Sequence, residues 1–194
     1  MSMDTVYASM LSLIRKKREA SSRFPYVVAL DGRCASGKTT AAAYLSEALT
    51  CPVVHMDDFF LRPEQRTAER LATPGENVDH ERFLEEVLVP LRRGLTCRYA
   101  PFSCATQSLL PSVELVHDDL VLIEGSYSHH PALRPYCDLF LFMTVSPEEQ
   151  MKRILNRNGE AMAKVFRTRW IPMEEAYFDA FSISGLADGI FSSD

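Results

Sequence analysis

The sequence lacks any C-x-x-C pair. Its five cysteines, Cys34, Cys51, Cys97, Cys104 and Cys137, are odd in number and widely spaced. That excludes a simple disulfide frame and a thiolate zinc site, and leads us to expect a reducing, cytoplasmic setting. No apolar run approaches the roughly 18 residues of a membrane span. Basic charge is not in excess either: the formal net charge is −5. Nucleic acid and anionic membrane surfaces are therefore not expected partners. Arg15, Lys16, Lys17 and Arg18 lie near the start, but Asp4 and Glu19 interrupt them, and there is no signal-type apolar core. Repeats and low-complexity tracts are missing as well. What remains is ordinary globular composition, 46% hydrophobic and 24% charged, in a length suited to one α/β domain.

Against that background one stretch stands out, Asp31-Gly32-Arg33-Cys34-Ala35-Ser36-Gly37-Lys38-Thr39-Thr40. Gly32, Gly37, Lys38 and Thr39 fill the four fixed places of the phosphate-loop pattern G-x-x-x-x-G-K-[ST]. Glycine permits the sharp turn and close backbone approach that phosphate needs. Amides from Gly32 through Ala35, Ser36 and Gly37 to Thr40 would point inward at the positive end of the next helix. Lys38 would reach the β- and γ-phosphates, and Thr39 would ligate Mg²⁺. The context agrees: residues 26–30 read as a buried parallel strand and residues 40–49 as a helix. The sequence predicts nucleoside triphosphate binding.

Residues 4–20 predict an amphipathic helix capped by Asp4, with Val6, Met10, Leu13 and Ile14 on one stripe, packed on the sheet or on a second subunit. The second strand, residues 52–56, ends in Asp57-Asp58-Phe59-Phe60. Ligands of open parallel sheets bind beyond the carboxyl ends of the strands. Two acids there suit the activation of an acceptor hydroxyl and the holding of Mg²⁺, though aspartate is also a common turn residue. Strand alternation assigns His55 to the core. Residues 61–78 read as a loop or flap. In Asp79, before the helix at 80–93, an N-cap is the favoured reading and a contact to a substrate hydroxyl the functional one. Pro90 predicts a kink or an early stop in that helix.

Two short β-like pieces, 96–102 and 113–116, enclose a polar turn with Thr106, Gln107 and Ser108. The third core strand is read over 118–125, ending in Glu124-Gly125; an acid at such a tip can order Mg²⁺, or merely begin a loop. Strand 139–145 leads into Ser146-Pro147-Glu148-Glu149, a capping-box signature. The helix beyond carries Lys152, Arg153 and Arg157, and residues 160–181 add Lys164, Arg167 and Arg169. These are a solvated basic face, or lid arginines that neutralise transition-state charge. A last strand is expected over 187–191.

Taken in order, Gly32–Thr40, Asp57–Phe60, Asn77-Val78-Asp79-His80, Ile123-Glu124-Gly125 and the helix at 147–157 resemble the uridine kinase family of phosphate-loop kinases. The resemblance implies a three-layer α/β sandwich on a five-stranded parallel sheet, order 2-3-1-4-5. It also implies one domain, with a substrate-binding excursion at about 58–116 and a lid at about 153–175. It implies ATP and Mg²⁺, with a nucleoside 5′-hydroxyl as acceptor. On this resemblance Asp57 is the general base, Asp79 holds ribose hydroxyls, Glu124 lies near Mg²⁺ and Phe60 lines the nucleoside pocket. Arg153, Arg157 and Arg169 are the lid candidates. Phe102 and Gln107 stand where the family reads the base through a tyrosine and a histidine, so the acceptor's identity departs from the family pattern. Another hydroxyl metabolite, such as a sugar phosphate or a pantothenate-like compound, and a regulatory ATP-binding protein without transfer are the other readings.

Overall fold

The computed structural model describes residues 3–117 and 119–194; Asp118, read above as the start of the third core strand, lies outside the described residues. Strand β1 (Tyr26–Gly32) occupies the centre of a parallel sheet and is buried along its whole length. Helix α1 (Met3–Glu19) precedes it, and α2 (Lys38–Leu49) follows it directly from the glycine-rich loop. β2 (Val53–His55) comes next. The segment read as a bare flap contains α3 (Ala68–Ala72). α4 (His80–Phe83) continues through a π-helical stretch, Leu84–Leu88, into α5 (Val89–Arg92).

Two small antiparallel pairs make up the excursion. β3 (Cys97–Tyr99) pairs with β6 (Val113–Leu115), and β4 (Phe102–Ser103) pairs with β5 (Ser108–Leu109). The chain returns to the main sheet in β7 (Leu120–Glu124) and β8 (Leu139–Thr144). α6 (Pro147–Val165), a second π-helical stretch (Phe166–Trp170) and α7 (Ile171–Ala180) lead to β9 (Gly189–Ser192). The sheet order is β2-β7-β1-β8-β9. Numbered by core strand this is 2-3-1-4-5, as expected.

Alternation along the strands builds the three layers. Val28 and Leu30 of β1, with Leu120 and Leu122 of β7, face α1 and α2 through Met10, Ile14, Ala42 and Leu45. Val27, Ala29, Val121 and Ile123 face the opposite way, onto Phe83, Val87 and Leu88 of the helical run 80–92 and Tyr177 and Phe178 of α7. Each buried Val, Leu, Ile, Met or Phe of this kind contributes about 1.5–3 kcal/mol of transfer free energy, which fixes the register of the strands. α1 therefore packs on the sheet, with Leu13 partly buried beside its stripe.

Several local expectations are corrected. Asp4 lies inside the first turn of α1 instead of capping it. Pro90 does not end its helix. The π stretch before it carries the Val89 N–H back to the Leu84 carbonyl, five residues away, and this wider turn accommodates a residue with no N–H. Pro172 follows the second π stretch in the same way, with Ile171 N–H bonded to the Phe166 carbonyl. Asn158-Gly159, by contrast, does interrupt α6 as the sequence suggested: Gly159 is non-helical (φ 76°, ψ 172°), and two helical pieces meet there at a kink. Ser146 precedes α6 and Pro147 opens it, but no capping box forms: the Ser146 hydroxyl bonds Asp194 at 2.8 Å, while Glu149 pairs with Lys152 and Arg153.

Candidate phosphate-binding and acceptor site

The site lies at the carboxyl ends of β1, β2 and β7. At Gly32 the backbone turns through φ 139°, and an added Cβ would sit 1.9 Å from the Met143 carbonyl oxygen, so only glycine fits. α2 begins after Gly37 with no side-chain cap, and the amides of Lys38, Thr39 and Thr40 in its first turn have no intrahelical acceptor. Ser36 is buried, with its hydroxyl unpartnered among the described residues, and Ala35 has a positive φ of 58°. The Lys38 ammonium donates to the Gly32 and Arg33 carbonyls at 2.7 and 2.8 Å. A concave run of amides around a lysine suits a polyphosphate.

Asp31 stands at the head of the motif, just before Gly32. It is fully buried, and it organises the floor of the site. One of its oxygens accepts from the Gly32 and Tyr127 amides at 2.7 and 3.2 Å; the other accepts from the His129 amide and the Tyr177 hydroxyl, both at 2.9 Å. The phosphate loop, the loop after β7 and α7 are thereby joined through one carboxylate.

Glu124, at the tip of β7, accepts from the Thr39 hydroxyl at 3.0 Å and lies 2.6 Å from His55 Nδ1. Parallel pairing sets His55 beside Glu124. An added Cβ at Gly125 would meet the Met56 Cβ at 2.8 Å, so the two strand tips approach closely because that residue is glycine. Burial alone pushes the Glu124 carboxyl up; the His55 hydrogen bond, the Lys38 charge and the Thr39 hydroxyl together hold it below its usual range. His55 rises above its ordinary value, chiefly through that hydrogen bond. Its side chain is 42% exposed, so His55 belongs to the site and not to the core. Its adjacency to a strand-tip acid was the missed signal.

Asp57 and Asp58 separate clearly. Both sit in a 3₁₀ turn, Met56–Phe59. Asp58 is hydrogen-bonded by Tyr99, and its carbonyl accepts from Arg82 at 2.8 Å. Asp57 faces the cleft with Glu124, Lys38 and His55 as its charged neighbours; desolvation and then the Glu124 charge raise its carboxyl pKa. Asp79 caps α4 through the Arg82 amide at 3.2 Å, and its other oxygen accepts from Gln65 at 2.9 Å. Phe60 is half-buried and bridges to Val78. Phe102 is buried on β4 beneath Arg66, whose guanidinium carbon is 5.5 Å from the ring centroid. Gln107 sits at the turn of the β4–β5 hairpin and accepts from Arg66 at 2.7 Å.

The three arginines read as lid candidates do not converge. Arg153 bonds Ser193 and the Ala35 carbonyl at the outer edge of the loop, Arg157 bonds Asn158 in solvent, and Arg169 stacks on Trp170. Arg169 also lines a cavity of about 320 Å³ with Gly75, Asn77, Tyr127, Pro172 and Met173. α7 instead touches the loop through acids: Glu174 accepts from the Cys34 amide and the Ser126 hydroxyl, and Glu175 pairs with Arg33. Nothing in the sequence signalled these contacts, because the partners lie 48 residues apart for Ser126 and some 140 apart for Cys34 and Arg33.

No family model matches the chain, and no curated protein matches it. Solved structures do. A possible uridine kinase from Bacillus stearothermophilus superimposes with a TM-score of 0.71 at 21% identity, over 98% of this chain and all of that one. The protein has the fold of the P-loop kinases. YFH7 from Saccharomyces cerevisiae, a candidate P-loop kinase with a circular permutation, gives a TM-score of 0.67 at 12% identity over the whole of both chains. The YGR205w protein gives 0.52 at 15% identity, over 92% of this chain and 85% of that one. Among the described residues, no helix is long and apolar enough to cross a membrane.

Proposed function

We propose that the protein transfers the γ-phosphoryl group of ATP to a hydroxyl group of a small molecule, in the manner of the uridine kinases, with a nucleoside 5′-hydroxyl as the first acceptor to test. The observation that carries this reading is the placement of Asp57 beside the Lys38, Thr39 and Glu124 cluster. A loop that only bound nucleotide would have no use for a second carboxylate facing that cluster. The fold likeness to a possible uridine kinase supports the kinase half of the reading. Lys38 and the loop amides hold the β- and γ-phosphates. The Thr39 hydroxyl and the Glu124 carboxylate, 3.0 Å apart, fit a small hard cation such as Mg²⁺, which neutralises phosphate charge when bound. Asp57 orients and deprotonates the acceptor hydroxyl. Asp79, Phe60 and Phe102 form the acceptor wall, and Arg153, Arg157 and Arg169 are the lid cations available for closure.

Arg66 favours a second acceptor class. Among the described residues no carboxylate lies within ion-pair distance of it, and its guanidinium sits between Gln107 and the face of Phe102. A guanidinium free of acids, in an acceptor cleft, suits a phosphate or carboxylate on the acceptor. ADP release with Mg-ATP against nucleosides, phosphorylated and carboxylated hydroxyl compounds, and a no-acceptor control separates these readings. Stimulation by uridine or cytidine supports the nucleoside. Stimulation by anionic metabolites alone supports the second class. Silence with every acceptor, together with ATP binding, overturns transfer.

A further inference from the structure

Away from the phosphate loop, three ligating side chains meet where the flap crosses the body of the protein. Glu76 comes from the flap, His80 from the first turn of α4, and His130 from the loop after β7. The imidazoles of His80 and His130 are stacked, 4.1 Å between centroids and 16° between planes. Both rings turn Nε2 toward one oxygen of Glu76, at 3.1 Å from His80 and 3.9 Å from His130. One ligand atom of each residue lies within 4.8 Å of the others. Tetrahedral zinc with bonds of about 2.0–2.2 Å separates its donors by about 3.3 Å, so small side-chain movements suffice.

We propose that Glu76, His80 and His130 form a structural divalent-metal site suited to zinc, which fastens the flap to α4 and to the loop after β7. The donor set, two imidazoles and a carboxylate without thiolate, suits zinc, with water in the fourth position. The surroundings fit the role. Arg70 lies 3.4 Å from the other Glu76 oxygen and also bonds the Glu76 and Val78 carbonyls, which orients the carboxylate. Glu81 pairs with Arg70 at 2.6 Å and offsets its charge. An added Cβ at Gly75 would meet the His130 ring at 2.9 Å, so the flap backbone packs directly on the imidazole. His130 Nδ1 accepts from the Ala132 amide at 3.2 Å. Ligation through Nε2 would move the ring proton to Nδ1 and give up this hydrogen bond, so metal binding must outweigh its loss. Fixing His80 also fixes Asp79 next to it, so the metal would set the acceptor wall without touching phosphate.

The test uses metal alone. EDTA-treated, dialysed protein carrying Cys104→Ser is titrated with zinc chloride in millimolar Mg²⁺, which saturates oxygen-rich sites. Calorimetry and melting temperature are the readouts. One equivalent of zinc should bind at micromolar affinity or better and raise Tm by about 5 °C. Glu76→Gln and His80→Gln, both on half-buried residues, should each weaken binding at least about tenfold. Cobalt should give a tetrahedral visible spectrum without thiolate charge transfer. Absence of stoichiometric binding, or binding unchanged in the Glu76→Gln, His80→Gln double variant, overturns the site. No nucleotide or acceptor enters the assay, so its outcome is independent of the kinase reading.

Discussion

The Glu174 carboxylate accepts a hydrogen bond from the backbone N–H of Cys34, inside the phosphate loop, at 3.0 Å. Its other oxygen accepts from Ser126 at 2.5 Å, and its neighbour Glu175 pairs with Arg33. α7 is thus latched to the loop by negative charge next to where a polyphosphate would lie. That charge opposes phosphate binding and strengthens with burial, because Glu174 is only 5% exposed. Glu174→Gln keeps the shape and removes the charge. ATP affinity should rise by about three- to tenfold, close to 1 kcal/mol, in equilibrium binding. Weaker binding would mean that the carboxylate shapes the loop for its ligand instead of competing with it.

Asp31 makes a stability prediction at the same floor. Its two oxygens accept from four donors, one pair at each oxygen. In Asp31→Asn the amide NH₂ must face one of those pairs whichever way it turns. Losing acceptors for buried donors, along with a buried charge that they hold, should cost about 3–5 kcal/mol. For a chain of this length that is a fall in Tm of about 6–20 °C, measured by calorimetry. A Tm within a degree of the parent would show that Asp31 does not hold these three segments together.

What could be read in advance followed sequence distance. The phosphate loop and β1 are contiguous, so Gly32, Gly37, Lys38 and Thr39 declare themselves by spacing. The sheet order came from the resemblance, and the apolar runs at the strands supported it. His55 was misassigned because alternation along a strand of only three residues cannot tell a cleft from a core. The π stretches before Pro90 and Pro172 were invisible, since one extra residue in a helical turn barely disturbs a 3.6-residue stripe. The Asp31–Tyr177 and Glu174–Cys34 bonds depend on how α7 docks, and no local pattern encodes docking.

The Glu124–His55 pair predicts a pH window. Its folded-state His55 pKa is raised by Glu124, with Asp58 and Asp57 adding smaller attractions. The contribution of His55 is therefore full below its ordinary value near 6.5 and is lost as pH rises through the raised value. Glu124 is held below its usual range, so its contribution is present above about 4.5 and is lost as pH falls through the lowered value. Between those limits both partners are charged. With His55 partly exposed, screening keeps the gain below about 1 kcal/mol. Melting curves of the parent and His55→Gln should differ by at most about 4 °C near pH 6 and converge by pH 9. A gap that stays constant across that range would assign the difference to packing.

Asp57 carries the chemical prediction. Asp58 is occupied by Tyr99, whereas Asp57 faces Lys38 and Glu124 with its carboxyl pKa raised by desolvation. If Asp57 is the general base of the proposed transfer, it works in its deprotonated form, and kcat/KM should fall as pH drops through that raised value. The acid limb should accordingly lie above the ordinary aspartate value of 3.8. Asp57→Asn should lower kcat by about 10²–10⁴-fold, abolish the acid limb and leave ATP affinity within about twofold, because the loop amides and Lys38 are untouched. Asp58→Asn should leave the limb in place. If instead Asp58→Asn removes it while Asp57→Asn keeps near-parental turnover, the base is the other carboxylate, and Tyr99 is the group that positions it.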